Sequence, residues 1–162
     1  MSDVTIRPAT DADVPAIARI WREGWPDGHE GHVPAELAAG RMPGSFDQRT
    51  LERISSTWVA EGAGTVAGFV VVVDAEVEQL YVDRSWRGGG AAEHLLRHAE
   101  TVIGREGRRT AWLAVVAGNT RARRFYTRLG WHDRGPFTYA AQTATGTVAV
   151  PAHRYEREVG DG

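Results

Sequence analysis

The chain has 162 residues, 42% of them hydrophobic and 25% charged, with a formal net charge of -2 and no cysteine. That is enough for one substantial core and argues against intrinsic disorder. It excludes disulfides, thiolate catalysis and cysteine-ligated metal, gives no basic excess for nucleic acid, and holds no apolar run long enough to span a bilayer. A single domain over residues 1–162 is expected. The opening Met1–Thr5 has no basic-then-apolar export pattern, so a cytoplasmic location is expected.

Thr5–Arg7 reads as a first strand closed by Pro8. Thr10 or Asp11 can cap a helix, and Val14, Ile17, Ala18 and Trp21 recur at helical spacing up to about Glu23. Gly24 to Phe46 is rich in Gly, Pro and His and reads as an irregular, variable segment with a short helix at Ala35–Ala39. Gln48–Ser56 reads as another helix. Trp58–Ala60 and Val66–Val73 read as strands joined by a Glu61–Thr65 turn; the second lacks alternation, which suits a strand buried on both faces. Val77–Val82 is the next strand. A helix from Ala91 to about Gly104, a strand at Thr110–Val116 and a helix at Thr120–Leu129 follow. Phe137–Ala141 and His153–Arg157 read as the last strands, a hairpin across Thr143–Thr147. The alternation of helices and strands predicts one α/β (α+β) layer structure.

Between the Val77–Val82 strand and the Ala91 helix lies Val82-Asp83-Arg84-Ser85-Trp86-Arg87-Gly88-Gly89-Gly90-Ala91-Ala92. Three consecutive glycines lose much backbone entropy on folding and need a reason. One reason is a loop whose amides face a phosphate, with the positive end of the next helix behind it. A flexible turn, or close helix–sheet packing, is the alternative. No Gly-Lys-Ser/Thr follows, so this is not a nucleotide P-loop. Gly88 and Gly90 fit a dinucleotide fingerprint, but its third glycine position holds Glu93.

These residues resemble the Gcn5-related N-acetyltransferase (GNAT) superfamily. Leu80-Tyr81-Val82-Asp83 precedes Arg87, Gly90 and Ala92, which match the pattern Gln/Arg-x-x-Gly-x-Gly/Ala. Asn119, Ala122, Phe125, Tyr126 and Gly130 match a second signature, with Trp131 in place of its final Phe. Ile6-Arg7-Pro8-Ala9-Thr10-Asp11-Ala12-Asp13 is similar to the family's opening. The resemblance implies a mixed, mostly antiparallel sheet flanked by helices and splayed between the Glu78–Val82 and Thr110–Val115 strands at an acyl-CoA slot. It implies acetyl-CoA as co-substrate, its pyrophosphate on the amides of Gly88, Gly89, Gly90, Ala91 and Ala92. Arg87 would add charge. Leu80, Tyr81 and Val82 would meet the pantetheine arm, and Asn119 would contact that arm. Arg121, in the first turn of its helix, is a further phosphate candidate.

Acetyl transfer to an amine needs a base, an oxyanion donor and an acid for the thiolate. Tyr126 matches the family acid; helix–sheet packing is its alternative role. Glu78 is the base candidate, on the assumption that it shares a facing with Leu80, and Glu76 is its substitute; a salt bridge with an arginine is the alternative for Glu78. Trp25, His29, His32 and Glu78 are expected at the acceptor pocket, with Trp21 and Phe46 on one wall and His153 as a further polar candidate. His29, Glu30 and His32 do not form a strong zinc pattern, and no metal is expected. The expected reaction moves an acetyl group from acetyl-CoA to a primary amine of a small polar metabolite or antibiotic. The alternatives are a protein N-terminal or lysine acceptor, or a non-catalytic CoA-binding protein. No nucleic-acid or membrane partner is expected. An edge at Phe137–Ala141 is a candidate for homodimer pairing.

Overall fold

The computed structural model describes residues 3–29, 31–41, 44–143 and 145–160. Strand β1 (Thr5–Pro8) leads through a tight turn into helix α1 (Val14–His29), followed by α2 (Ala35–Gly40) and α3 (Ser45–Arg53). Then come β2 (Thr57–Gly62), β3 (Thr65–Val73), β4 (Glu76–Val82), α4 (Ala91–Arg105), β5 (Thr110–Val116), α5 (Thr120–Arg128), β6 (His132–Thr143) and β7 (Gly146–Glu158). The strands form a seven-stranded sheet in the order β1-β2-β3-β4-β5-β7-β6. Every neighbouring pair is antiparallel except β4–β5. This is the mixed, mostly antiparallel architecture that the resemblance implied.

The sheet is covered on both faces. Leu95, Leu96, Ala99 and Ile103 of α4 pack with Val70, Val72 and Val77 on one side. Ile17, Trp21 and Trp25 of α1 and Phe46 of α3 pack with Val59, Phe69 and Val71 on the other. Residues 67–72 of β3 are all buried, which explains the missing alternation. The β2–β3 hairpin turns on Ala63 and Gly64, both at positive φ, the geometry of a two-residue hairpin loop.

Two segments depart from expectation. Helix α1 continues six residues beyond Glu23, through Gly24 and Pro26. Its glycines are contact points rather than breaks. A Cβ on Gly24 would lie 2.7 Å from the Tyr81 ring, and one on Gly28 would lie 2.6 Å from Asn119 Nδ2. With α2 and α3, the 24–46 segment is therefore largely helical. The last hairpin is also longer than expected, because β6 and β7 tolerate Pro136 and Pro151 at the margin of the sheet. Pro151 lies beyond the last β5 pair, Val116 with Ala152. Strand β6, with Phe137–Ala141, is an edge strand.

Candidate active site

Strands β4 and β5 pair only at Glu76 and Trp112. Beyond that point they diverge, and the β4 edge facing β5 has no strand partner. A cleft of about 1300 Å³ opens there. It runs from the N-termini of α4 and α5 to the wall made by α1 and α3.

At one end stands the glycine loop. Gly88 and Gly90 adopt φ of 82° and 89°, a conformation that favours glycine. The amides of Gly88, Gly90, Ala91 and Ala92 have no backbone acceptor among the described residues, whereas the Gly89 amide donates to the Trp86 carbonyl at 3.4 Å. Four amides thus remain for a ligand where five were expected, and Gly89 does not border the cleft. Arg87 borders it but donates to Asp27 Oδ2 at 3.0 Å. Arg84 also reaches Asp27, and the Arg87 guanidinium holds the Asp27 carboxyl below the usual range. Arg121 is exposed at the cleft rim. Asn119 caps α5, its Oδ1 accepting from the Ala122 amide at 3.2 Å.

Midway along the cleft is Tyr126. Its ring packs near Phe125, Trp131 and Tyr155 at centroid distances of 5.2, 6.1 and 6.2 Å. Its hydroxyl makes no hydrogen bond among the described residues. Burial pushes its pKa up, so the phenol keeps its proton at neutral pH.

The end of the cleft walled by α1 and α3 corrects the assumed facing of Glu78. The β3–β4 register steps from Val71–Gln79 to Val72–Val77, so Glu78 has no opposite residue. This is a β-bulge, and it breaks the two-residue alternation. Leu80 and Val82 pack on the α4 side and Tyr81 on the α1 side. Glu78 instead accepts from Arg53 Nε of α3 at 2.8 Å. Glu76 accepts from the Tyr139 hydroxyl at 2.5 Å, and burial pushes its pKa up to about 6.

Trp25, 8% exposed, stacks on His29 with centroids 4.8 Å apart. His29 Nδ1 lies 2.9 Å from the Trp25 carbonyl, which makes Nδ1 the protonated nitrogen. Burial lowers the His29 pKa to about 4. His32 does not border the cleft; its ring packs against Gly118, leaving no room for a Cβ there. His153 pairs with Asp133 at 3.0 Å, away from the cleft lining. Glu30 lies outside the described residues. Arg41 and Arg49 border the same end of the cleft, and no sequence motif singles them out. They converge only through the packing of α2 and α3.

The family model described as Acetyltransferase (GNAT) family matches residues 14–131. That stretch runs from the start of α1 to the residue before β6, and it holds both cleft-lining helix N-termini. The chain belongs to the GNAT family. It is an N-acetyltransferase of that superfamily. An uncharacterized N-acetyltransferase of Mycobacterium tuberculosis is 25% identical over 113 residues, covering 67% of this chain and 72% of the relative. A GCN5-related N-acetyltransferase from Kribbella flavida superposes with a TM-score of 0.72 at 27% identity, covering 96% of this chain and 97% of that one. The PaiA N-acetyltransferase of Thermoplasma acidophilum, solved in complex with coenzyme A, superposes with a TM-score of 0.72 at 18% identity over 96% of this chain and 99% of that one. At that identity the likeness is one of fold.

Among the described residues, no helix is long and apolar enough to cross a membrane.

Proposed function

We propose that this GNAT protein transfers an acetyl group from acetyl-CoA directly to the primary amine of a small polar acceptor. The observation that carries the reading is the cradle of unpaired amides at Gly88, Gly90, Ala91 and Ala92, at the mouth of the gap between β4 and β5. Helix α4 adds its positive end, so the cradle suits a pyrophosphate. The unpartnered β4 edge past Glu76 suits the amide-bearing pantetheine arm, which would bring the thioester toward Tyr126. Arg121, exposed at the cleft rim, supports the reading by adding positive charge on that side. Arg87 can do so only by sharing or leaving Asp27.

In the proposed step the acceptor nitrogen attacks the thioester carbon. The C–N bond forms, the C–S bond breaks, and the amine proton passes to a carboxylate. Glu76 suits that role better than Glu78. It is raised toward neutrality, while Glu78 is held in an ion pair with Arg53. Tyr126 keeps its proton until the thiolate departs and then donates it to sulfur, regaining one from solvent. An amine bearing an N–H is the natural acceptor, because its nitrogen loses that proton as it is acylated.

Helices α1 to α3 wall the acceptor end, with Leu37 and Phe46 buried beneath them. A cleft walled on this side by three helices suits a small molecule better than the extended chain of a protein acceptor. Glu76 and Tyr126 on one cleft speak against a purely non-catalytic role. Calorimetry with coenzyme A and a thiol-release screen of amines test the reading. Binding with turnover of a small amine is expected; no association with coenzyme A overturns it.

A further inference from the structure

At the end of the cleft walled by α2 and α3, Arg41 and Arg49 form no ion pair among the described residues, although Glu78 attracts Arg49 from a distance. The Arg49 guanidinium lies 4.2 Å from the Trp21 ring centroid and 5.8 Å from that of Phe46. It makes no hydrogen bond or ion pair among the described residues, and its Nη1 is buried without a partner. Arg41 donates from Nη2 to the Gln142 carbonyl at 2.8 Å, while its Nε is buried and unpaired. Both side chains border the cleft. A buried guanidinium nitrogen left unpaired costs free energy, so its persistence calls for a ligand that completes it.

The surroundings identify the missing charge. Burial, then the proximity of Arg41, lowers the Arg49 pKa to about 10. Arg41 and Arg49 in turn help to lower that of His29. Arg41 and Arg49 are therefore like charges that repel each other, beside a neutral His29. On β4, the same end of the cleft presents Glu76 and Glu78. An acceptor with its amine toward β4 and an anion toward α2 and α3 would match both.

We infer that the acceptor is a small primary amine that also carries a carboxylate, held at its anionic end by Arg49 and Arg41. This rests on the acetyl-transfer reading above and narrows its substrate class. The planar fork of a guanidinium fits a carboxylate in two parallel hydrogen bonds. A phosphate dianion would match the fork too, but the Glu76 and Glu78 carboxylates at the same end of the cleft oppose a second negative charge. Trp21 holds the Arg49 plane, so little side-chain freedom is lost on binding.

The test is a paired-acceptor panel read by release of coenzyme A thiol. It contains the common α-amino acids, the amines left when their carboxylate is removed, O-phosphoethanolamine, and a short C-terminally amidated peptide. For at least one pair the carboxylate-bearing member is expected to have the higher kcat/KM by roughly 30-fold or more. Arg49→Gln is expected to bring that ratio close to one, and Arg49→Lys to recover part of it. A second readout needs no variant. Saturation with the N-acetyl form of the preferred amino acid is expected to raise the His29 pKa measured by NMR, because an anion replaces part of the repulsion. Equal rates with and without the carboxylate, or a preference for O-phosphoethanolamine or the peptide, overturn the inference and leave acetyl transfer standing. Absence of thiol release from every acceptor overturns both.

Discussion

Arg53 Nε donates to Glu78 Oε1 at 2.8 Å, and Glu78 is the β4 residue that the bulge leaves without a partner on β3. The bulge turns Glu78 toward α3, where the arginine meets it. Two carboxylates on one strand therefore have different environments. Glu78 faces a fixed cation; Glu76 is half-buried beside a phenol. Environments that separate two like groups assign different roles to them.

Glu76→Gln is expected to lower kcat/KM by roughly a hundredfold or more, the usual range for loss of a general base. Glu76 must be deprotonated to act, so the wild-type rate is expected to fall as pH drops through about 6. The variant loses that inflection. Glu78→Gln is expected to keep it, with a smaller change in rate, since its carboxylate anchors Arg53. A pH profile of kcat/KM for the three proteins checks this. An inflection that survives Glu76→Gln and vanishes in Glu78→Gln reverses the assignment.

Tyr126→Phe keeps the ring contacts with Phe125, Trp131 and Tyr155 and removes only the hydroxyl. Its expected signature is slower turnover, by roughly tenfold to a hundredfold, with coenzyme affinity within about threefold. Steady-state kinetics and calorimetry separate the two quantities. Unchanged turnover across the pH range removes the acid role and leaves packing as the function of the ring.

The glycine loop was legible because three glycines in a row have few explanations, and the order of strands and helices was legible because apolar runs and turn residues punctuate the chain. What escaped notice lies in relationships between elements. Gly24 and Gly28 looked like breakers, but they make room for Tyr81 and Asn119, and tertiary contact carries α1 past them. The facing of Glu78 depends on the β3 register, which no local pattern on β4 contains. Imidazole chemistry makes both His29 and His32 pocket candidates, but only the packing shows that His32 sits against Gly118 instead. Arg41 and Arg49 become neighbours only when α2 and α3 fold over the cleft.

Two glycines allow the loop's role to be separated from its strain. Gly90 has φ of 89° and Gly64 has φ of 76°, and an added Cβ meets nothing within 4 Å at either position. Alanine at each is therefore expected to destabilise by about 1–2 kcal/mol through backbone conformation alone. Gly90→Ala should in addition weaken coenzyme A binding by roughly tenfold, because the amides of Gly90 and Ala91 shift together. Gly64→Ala, in the β2–β3 turn, should leave that affinity unchanged. Thermal melts and calorimetry on both variants decide it; equal affinities would remove the loop from the coenzyme site.

The acid stability of the fold depends on Asp13. Arg7 donates to both Asp13 oxygens at 2.8 and 2.9 Å, and the Thr10 amide adds a third bond at 2.8 Å, tying β1 to the start of α1. The Asp13 side chain is 8% exposed. The Arg7 hydrogen bonds hold its carboxyl below the usual range, against the opposing pull of burial. A folded-state pKa below the unfolded value of about 3.9 gives stabilisation that is present above that pH and is lost as pH falls through the folded value. Asp13→Asn is thus expected to lose about 1.5–3 kcal/mol at pH 7. The deficit should shrink as the wild-type carboxylate is protonated. Urea unfolding of both proteins at pH 7 and at successive steps below pH 4 measures it. A deficit that stays constant into acid would show that the charge of Asp13 contributes nothing and that only its shape matters.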